Sequence, residues 1–479
     1  VNRLKATILA GVLASGAVQA EGLQLQDILQ QVISQHPKTA AMREEGLQQQ
    51  AKIRKAEAEF DPYFSQKVSS RVSGYYDGNV LTTELSKPLS EMGARLYTRY
   101  ALAEGSFPVY EAQYDTLSAG EVSVGIAFSL LQGRQTDERR TGLRTAGYAL
   151  QQWQARYRAL LNDQLYQATS TYLKWYESSL KRQALAAMMK TLSGSEKALQ
   201  RRVEQGDAAQ MTLDEFSSNT LEIELLQADT QQLQAMTQAK LDYYINTPEP
   251  LAAPGTTRQQ WPFFINATRL SDLQRQLAKH PLQQVLMTDL QTSRAQLTLA
   301  QNTLLPTLDI QASVARDIGS GPANLDGTES KLGLNFSYPL GNRKGRAEQQ
   351  IQQAKIRQTE FKITDLQQQL MQQFQAAVAR WEQSRRVLTL RQQASELAAR
   401  LQRAEQARFD SGDADMFVLN ARQNKLIKAR MDAISAHVSQ RQAELDLFYA
   451  AAALDSLALQ PSDHAPLLNQ PTRSAAGQN

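Results

Sequence analysis

The sequence predicts a mostly α fold with a small β part. A long α-helical coiled-coil barrel joins a transmembrane β-barrel that takes four strands from each chain, and the plan is written twice as two internal repeats. Three observations carry this. The stretch 134–205 contains no proline and keeps apolar or small residues at three- and four-residue steps for about 72 residues, roughly 105 Å of helix at 1.5 Å per residue. Landmarks of the first half return in the second half in the same order. Several short segments alternate apolar and polar residues, as strands with one apolar face do.

Composition narrows the class before any motif is read. Residues 1–20 have the pattern of a secretory signal peptide: Arg3 and Lys5, an apolar run from Ala6 to Val18, then Val18-Gln19-Ala20, with cleavage expected after Ala20. The 479 residues include no cysteine, so no disulfide framework or lipid-bearing cysteine is expected. The net charge of +4 gives no basic footprint for nucleic acid. After the signal no apolar run reaches the ~18 residues of a spanning helix, so any membrane crossing must be made by strands.

Taken in order, 23–58 reads as helix, interrupted at His36-Pro37 and ended by Phe60-Asp61-Pro62. Residues 63–72 alternate weakly. The polar, aromatic-rich stretch 73–117 carries Gly74, Gly78, Pro88, Gly93, Gly105 and Pro108 and reads as a long loop. Val122, Val124, Ile126 and Phe128 then alternate with polar or small residues in a two-faced strand. The long helix follows Gln132-Gly133. Its seam is Leu143, Ala146, Leu150, Trp153, Tyr157, Leu161, Leu165, Ala168, Tyr172 and Trp175, and Gly206-Asp207 closes it. A further helix is expected over 212–245, then an irregular connector rich in proline.

The second half restarts the plan. His36-Pro37 returns as His280-Pro281 and Pro62 as Pro306, both 244 positions on. Leu308 and Ile310 lie on the apolar face of one strand, and Leu332, Leu334 and Phe336 on that of another. A second long helix is expected over 344–409, with Gly412-Asp413 repeating Gly206-Asp207, and a last helix over 416–453. The boundaries are therefore signal 1–20, first repeat 21–246, equatorial connector 247–269, second repeat 270–454 and polar tail 455–479. Each long helix matches the summed length of two half-length helices, so it can pair with both laid end to end.

Four strands with one apolar face cannot close alone, so several subunits must donate strands to a ring. Polar residues inside such a ring line a water-filled duct. Catalytic, cofactor and metal chemistry is not legible. None of His36, His280, His437 and His464 has a partner at metal-ligand spacing, and the two in His-Pro pairs read as structural. "GSGP" at 319–322 is a hairpin turn rather than a phosphate cradle. The run Arg139-Arg140 to Arg144, near the junction of barrel and helix, is open to facing lipid head groups or lining the inner wall, and as an isolated run reads most simply as a solvated face.

The duplicated order, the His-Pro pairs, "FSLLQGRQTDERR" (128–140), "FSYPLGNRKGRAE" (336–348) and "FDSGDADMFVLNARQ" (409–423) together resemble the TolC-type outer-membrane efflux and secretion duct family across the whole mature chain. The resemblance implies a homotrimer in the outer membrane, a twelve-stranded barrel and a periplasmic helical tunnel. It implies a passive exit duct, not an enzyme, fed by an inner-membrane pump through a periplasmic adaptor (membrane fusion) protein, in drug efflux or type I secretion. It places Gly206, Asp207, Gly412 and Asp413 at the periplasmic tips, where the adaptor docks. It turns Val122, Val124, Ile126, Phe128, Leu308, Ile310, Leu332, Leu334 and Phe336 toward outer-membrane lipid. The carboxylates some members carry past the second tip are Val418 and Asn420 here, and Asp410, Asp413 and Asp415 are the candidates for an acidic entrance ring instead. The competing reading is a periplasmic coiled-coil structural or adaptor-like protein without a pore, which would not need amphipathic strands.

Overall fold

The structure, a computed structural model, describes residues 24–91, 93–108, 115–245, 261–411 and 413–455. The expected signal peptide, most of the connector, Gly412 and the tail beyond Asp455 lie outside the described residues. The element order is α1 (Leu25–Ser34), α2 (Pro37–Glu57), β1 (Tyr63–Ser70), β2 (Gly78–Pro88), β3 (Arg95–Gly105), β4 (Glu121–Ser129), α3 (Glu138–Glu204) and α4 (Gln210–Asp242) in the first half. The second half supplies α5 (Ala267–Leu277), α6 (Pro281–Asn302), β5 (Thr307–Asp317), β6 (Thr328–Ser337), α7 (Arg343–Asp410) and α8 (Met416–Ala450).

The chain divides into two compact units. One comprises 40–160 and 274–374 and holds every described strand. Its sheet runs β1-β2-β3-β4-β5-β6 in chain order with all neighbours antiparallel. This corrects the expectation of four strands and of a loop over 73–117. β2 and β3 occupy that stretch, and the described sheet has six strands. The glycines and prolines that suggested a loop instead punctuate strands. Gly78 and Gly105 begin β2 and end β3, Pro88 ends β2, and Gly93, at φ +61°, lies in the turn between them. That backbone region favours glycine because it has no Cβ. Leu81, Thr83 and Leu85 alternate along β2, but threonine on both faces hides the period.

In the same unit the indole of Trp153, on α3, lies against Gly46 of α2, where a Cβ would collide with it, and donates Nε1–H to the Met42 carbonyl at 2.9 Å. Arg43 donates to the Tyr157 hydroxyl at 3.3 Å one turn on. The aromatic residues of the long helix are thus packing residues. α6 begins at Pro281 because His280 caps it: its Nδ1 accepts from the Leu282 N–H at 3.2 Å, and proline occupies the first turn, where its missing N–H leaves no bond unmade.

The other unit takes 24–39 with the described parts of 161–273 and 375–455. His36 repeats the cap on α2, accepting from the Lys38 N–H at 3.3 Å while its ring packs on Tyr243 and Tyr244. One apolar core joins Leu185, Leu192 and Leu199 of α3 to Phe216 and Ile223 of α4 and Leu419 of α8. A second region is partly polar. Trp261 stacks edge-on with Phe263, which meets Phe448 of α8, and Trp261 donates Nε1–H to Glu444 at 2.6 Å.

Candidate channel wall and tip turns

The antiparallel ladder sorts the strand residues onto two faces, because directly paired residues share a face. Val122 pairs with Arg316, Val124 with Val314, Ile126 with Ala312 and Phe128 with Ile310. Leu308 pairs with Phe336, Ile310 with Leu334 and Ala312 with Leu332. All nine residues expected to meet lipid thus lie on one face. Leu332, Leu334 and Phe336 are 81%, 68% and 63% exposed, an apolar surface left largely uncovered by the described residues.

The opposite face is polar and internally bonded. Glu84 pairs with Arg99 at 2.9 Å and Arg95 at 3.3 Å, Lys331 with Glu121 at 3.1 Å, and Ser129 donates to Asp309 at 2.6 Å. Tyr97 lies over Gly125 on this face, where any Cβ would collide with the phenol, and its hydroxyl accepts from Gln311 at 2.7 Å. None of these partnerships was read from the sequence, because each joins residues distant along the chain.

Where β4 gives way to α3, the chain turns at Gly133, at φ +88°. Asp137 starts the helix, its carboxylate accepting the Arg140 N–H at 2.8 Å and facing the Arg140 guanidinium at 3.2 Å. The same guanidinium donates to the carbonyls of Gly133 and Arg134. The basic run is therefore not simply a solvated face. Arg140 clasps the turn that launches the long helix, while Arg139 stays exposed near Glu59.

The turns at Asp207 and Asp413 close alike. The Asp207 N–H donates to the Arg202 carbonyl at 2.8 Å, and the Asp413 N–H to the Arg408 carbonyl at 2.8 Å, each bond spanning six residues as in a Schellman end. Gly206 takes φ +78°, the left-handed value this closure requires, with open space where a Cβ would be. Arg202 lies 5.5 Å over the Phe409 ring and ties the two long helices together beside the turns. Asp410, Asp413 and Asp415 are all exposed. Each has a local partner: Gln406 donates to Asp410 at 3.0 Å, Ser411 lies 3.4 Å from the Asp413 carboxylate, and Asp415 caps α8 through the Phe417 N–H at 3.2 Å. Behind the turns, Asn219 of α4 and Gln423 of α8 are buried with no partner for either side-chain polar atom among the described residues.

Glu444 is a buried carboxyl that sequence reading did not single out. It accepts from Trp261 and from Gln440 at 2.8 Å, and is only 3% exposed. Burial pushes its pKa up to about 7 against the opposing pull of those hydrogen bonds and of Arg441. Burial also lowers His280 to about 4 and holds His437, beside Arg441, below its ordinary value. Among the described residues no cluster could hold a metal ion, and no helix is long and apolar enough to cross a membrane.

Comparison with known proteins agrees with this geometry. The outer membrane efflux protein family model matches residues 273–453. No curated protein matches the sequence. The fold resembles a solved structure of the outer-membrane channel OprN, with a TM-score of 0.65, 12% identity and 90% of each chain covered. It also resembles the open state of the Neisseria gonorrhoeae MtrE outer membrane channel, at 0.64 and 13% over 91% of each chain. The Campylobacter jejuni CmeC outer membrane channel gives 0.62 and 11% over 95% of this chain and 94% of its own. The outer membrane efflux protein family model thus covers residues 273–453, and nearly the whole length of the chain has the fold of these outer-membrane channels.

Proposed function

We propose that the chain is the outer-membrane channel of a tripartite efflux or type I secretion machine, a homotrimer with its sheet in the outer membrane and its helices in the periplasm. The observation that carries this is the two-faced sheet: apolar and uncovered on one side, charged and hydrogen-bonded on the other, with β1 and β6 left as open edges. A lone sheet with that face in water is an aggregation hazard, whereas lipid and neighbouring copies satisfy both face and edges. The helices support the same reading. Exposed Leu390, Leu397 and Leu401 recur at heptad-compatible spacing on α7, and exposed Leu221, Leu225 and Met236 form a stripe on α4. These are seams for other copies of the chain. A periplasmic coiled-coil protein without a pore leaves the sheet unexplained.

The duct is passive, driven by an inner-membrane pump whose adaptor docks at the turns of Gly206-Asp207 and Gly412-Asp413. In a trimer Asp410 and Asp413 ring the entrance and favour cations there. Expression in a Gram-negative host should place the chain in the outer-membrane fraction as a heat-modifiable oligomer that conducts in planar bilayers. Recovery of a soluble periplasmic monomer would refute the proposal. Asp410→Asn with Asp413→Asn should lower cation selectivity without changing assembly; unchanged selectivity removes the ring and leaves the duct.

A further inference from the structure

We infer that each chain gives the membrane barrel six strands rather than four, so that the trimer proposed above closes a barrel of eighteen. This rests on the outer-membrane channel reading and goes beyond it. The additional pair is the hairpin β2–β3, and four properties place it in the barrel wall instead of in an external loop.

Its position in the ladder comes first. The row Tyr63–Ser86–Tyr97–Gly125–Ser313–Lys331 crosses all six strands pair by pair, and the next row is Phe64–Leu85–Thr98–Val124–Val314–Ser330. β2 and β3 therefore lie between β1 and β4 at the same height, not above them. Their length is the second property. Each has 11 residues, as β5 has, and about 9–11 residues suffice to cross a bilayer at barrel tilt.

Their faces are the third. Leu81 and Leu85 of β2, and Leu96 and Leu102 of β3, fall on the face of Val124 and Phe336, whereas Glu84 and Arg99 fall on the opposite face with Glu121 and Lys331. A hairpin standing in water outside the membrane has no need of that sorting. The sheet's edges are the fourth. β1 and β6 remain the open strands, so the hairpin widens each chain's share of the wall without capping it.

The consequence is a wider lumen. With strands about 4.8 Å apart and tilted about 40°, twelve strands close at a radius of about 12 Å and eighteen at about 18 Å. The cross-section at membrane level roughly doubles.

The chain contains no cysteine, so single cysteines can be placed in the full-length protein without background. Thr98→Cys reports the apolar face of β3, Val124→Cys that of β4, and Thr82→Cys the polar face of β2. Each variant is labelled with a fluorophore and reconstituted in phosphatidylcholine vesicles with and without brominated acyl chains. The expected result is quenching at Thr98→Cys within about twofold of that at Val124→Cys, with Thr82→Cys unquenched and open to a membrane-impermeant thiol reagent. Quenching at Val124→Cys but not at Thr98→Cys overturns the six-strand wall and leaves the channel reading intact. Quenching at neither position overturns the channel reading itself. Native mass spectrometry of the unmodified protein supplies the second count: three chains give eighteen strands, and two chains would overturn that number.

Discussion

Replacing Glu444 by glutamine should remove a pH dependence of stability that the native chain carries. The carboxyl is buried, bonded to Trp261, and its pKa rises from 4.5 to about 7. A carboxyl whose folded pKa lies above its unfolded value stabilises the fold fully below the unfolded value, and that contribution is lost as pH rises through the folded one. Here the window runs from 4.5 to about 7. At 1.36 kcal/mol per unit, the loss is about 3 kcal/mol by the top of the window, as an order of magnitude. Glutamine matches the neutral acid in shape, can accept the Trp261 N–H, and can be met by Gln440 with its amide turned over. Denaturant unfolding of purified wild type and Glu444→Gln in detergent, followed by circular dichroism, tests this at about pH 4 and about pH 8. The two should be equally stable at the lower pH, with the variant ahead at the higher. Parallel behaviour at both pH values, or a variant less stable at high pH, would refute the reasoning.

Three other outcomes follow from the geometry. His280→Ala should destabilise the start of α6 by about 1 kcal/mol, and His280→Asn should restore most of it, read from unfolding midpoints. Because burial lowers His280 to about 4, the wild-type cap should weaken as pH falls from 6.5 toward that value, and the asparagine cap should not. Gln423→Leu should stabilise the helical unit by about 1–3 kcal/mol by removing a buried amide without a partner among the described residues; a loss of stability would show that the amide is satisfied. Gly125→Leu should block assembly because its Cβ meets the Tyr97 ring, and Tyr97→Ala added to it should restore oligomer on a gel; no rescue would place the defect elsewhere.

The helices were legible because their signals are local. The seam of α3, the glycine that ends it and the prolines that start α2 and α6 all act within a turn or two of where they stand. The repeat was legible for the same reason, and it extends to matching hydrogen bonds at Asp207 and Asp413. The apolar faces of β4, β5 and β6 were clear because aliphatic residues alternate there with small or polar ones. β2 and β3 were lost because threonine and tyrosine suit either face, and glycines at strand ends resemble glycines in loops. Glu444 and the Tyr97–Gly125 contact were hidden for another reason. Their partners lie far away in sequence, and nothing near Glu444 marks it as different from any other glutamate on a helix.

The order of the strands also sets the order in which the sheet can be made. β1 to β4 form three successive hairpins, each a local closure that a growing chain can attempt early. The seam between β4 and β5 is different, since every residue from 130 to 306 intervenes between the paired strands. That loop must be closed before Phe128 can meet Ile310, and long-range pairings of this kind form slowly. Until then a four-stranded meander waits with its aliphatic face and one long edge uncovered, a species prone to stick to its own kind. The meeting of the two halves is therefore the step expected to limit biogenesis, and a chaperone that shields β4 in the interval should raise the yield of the finished sheet.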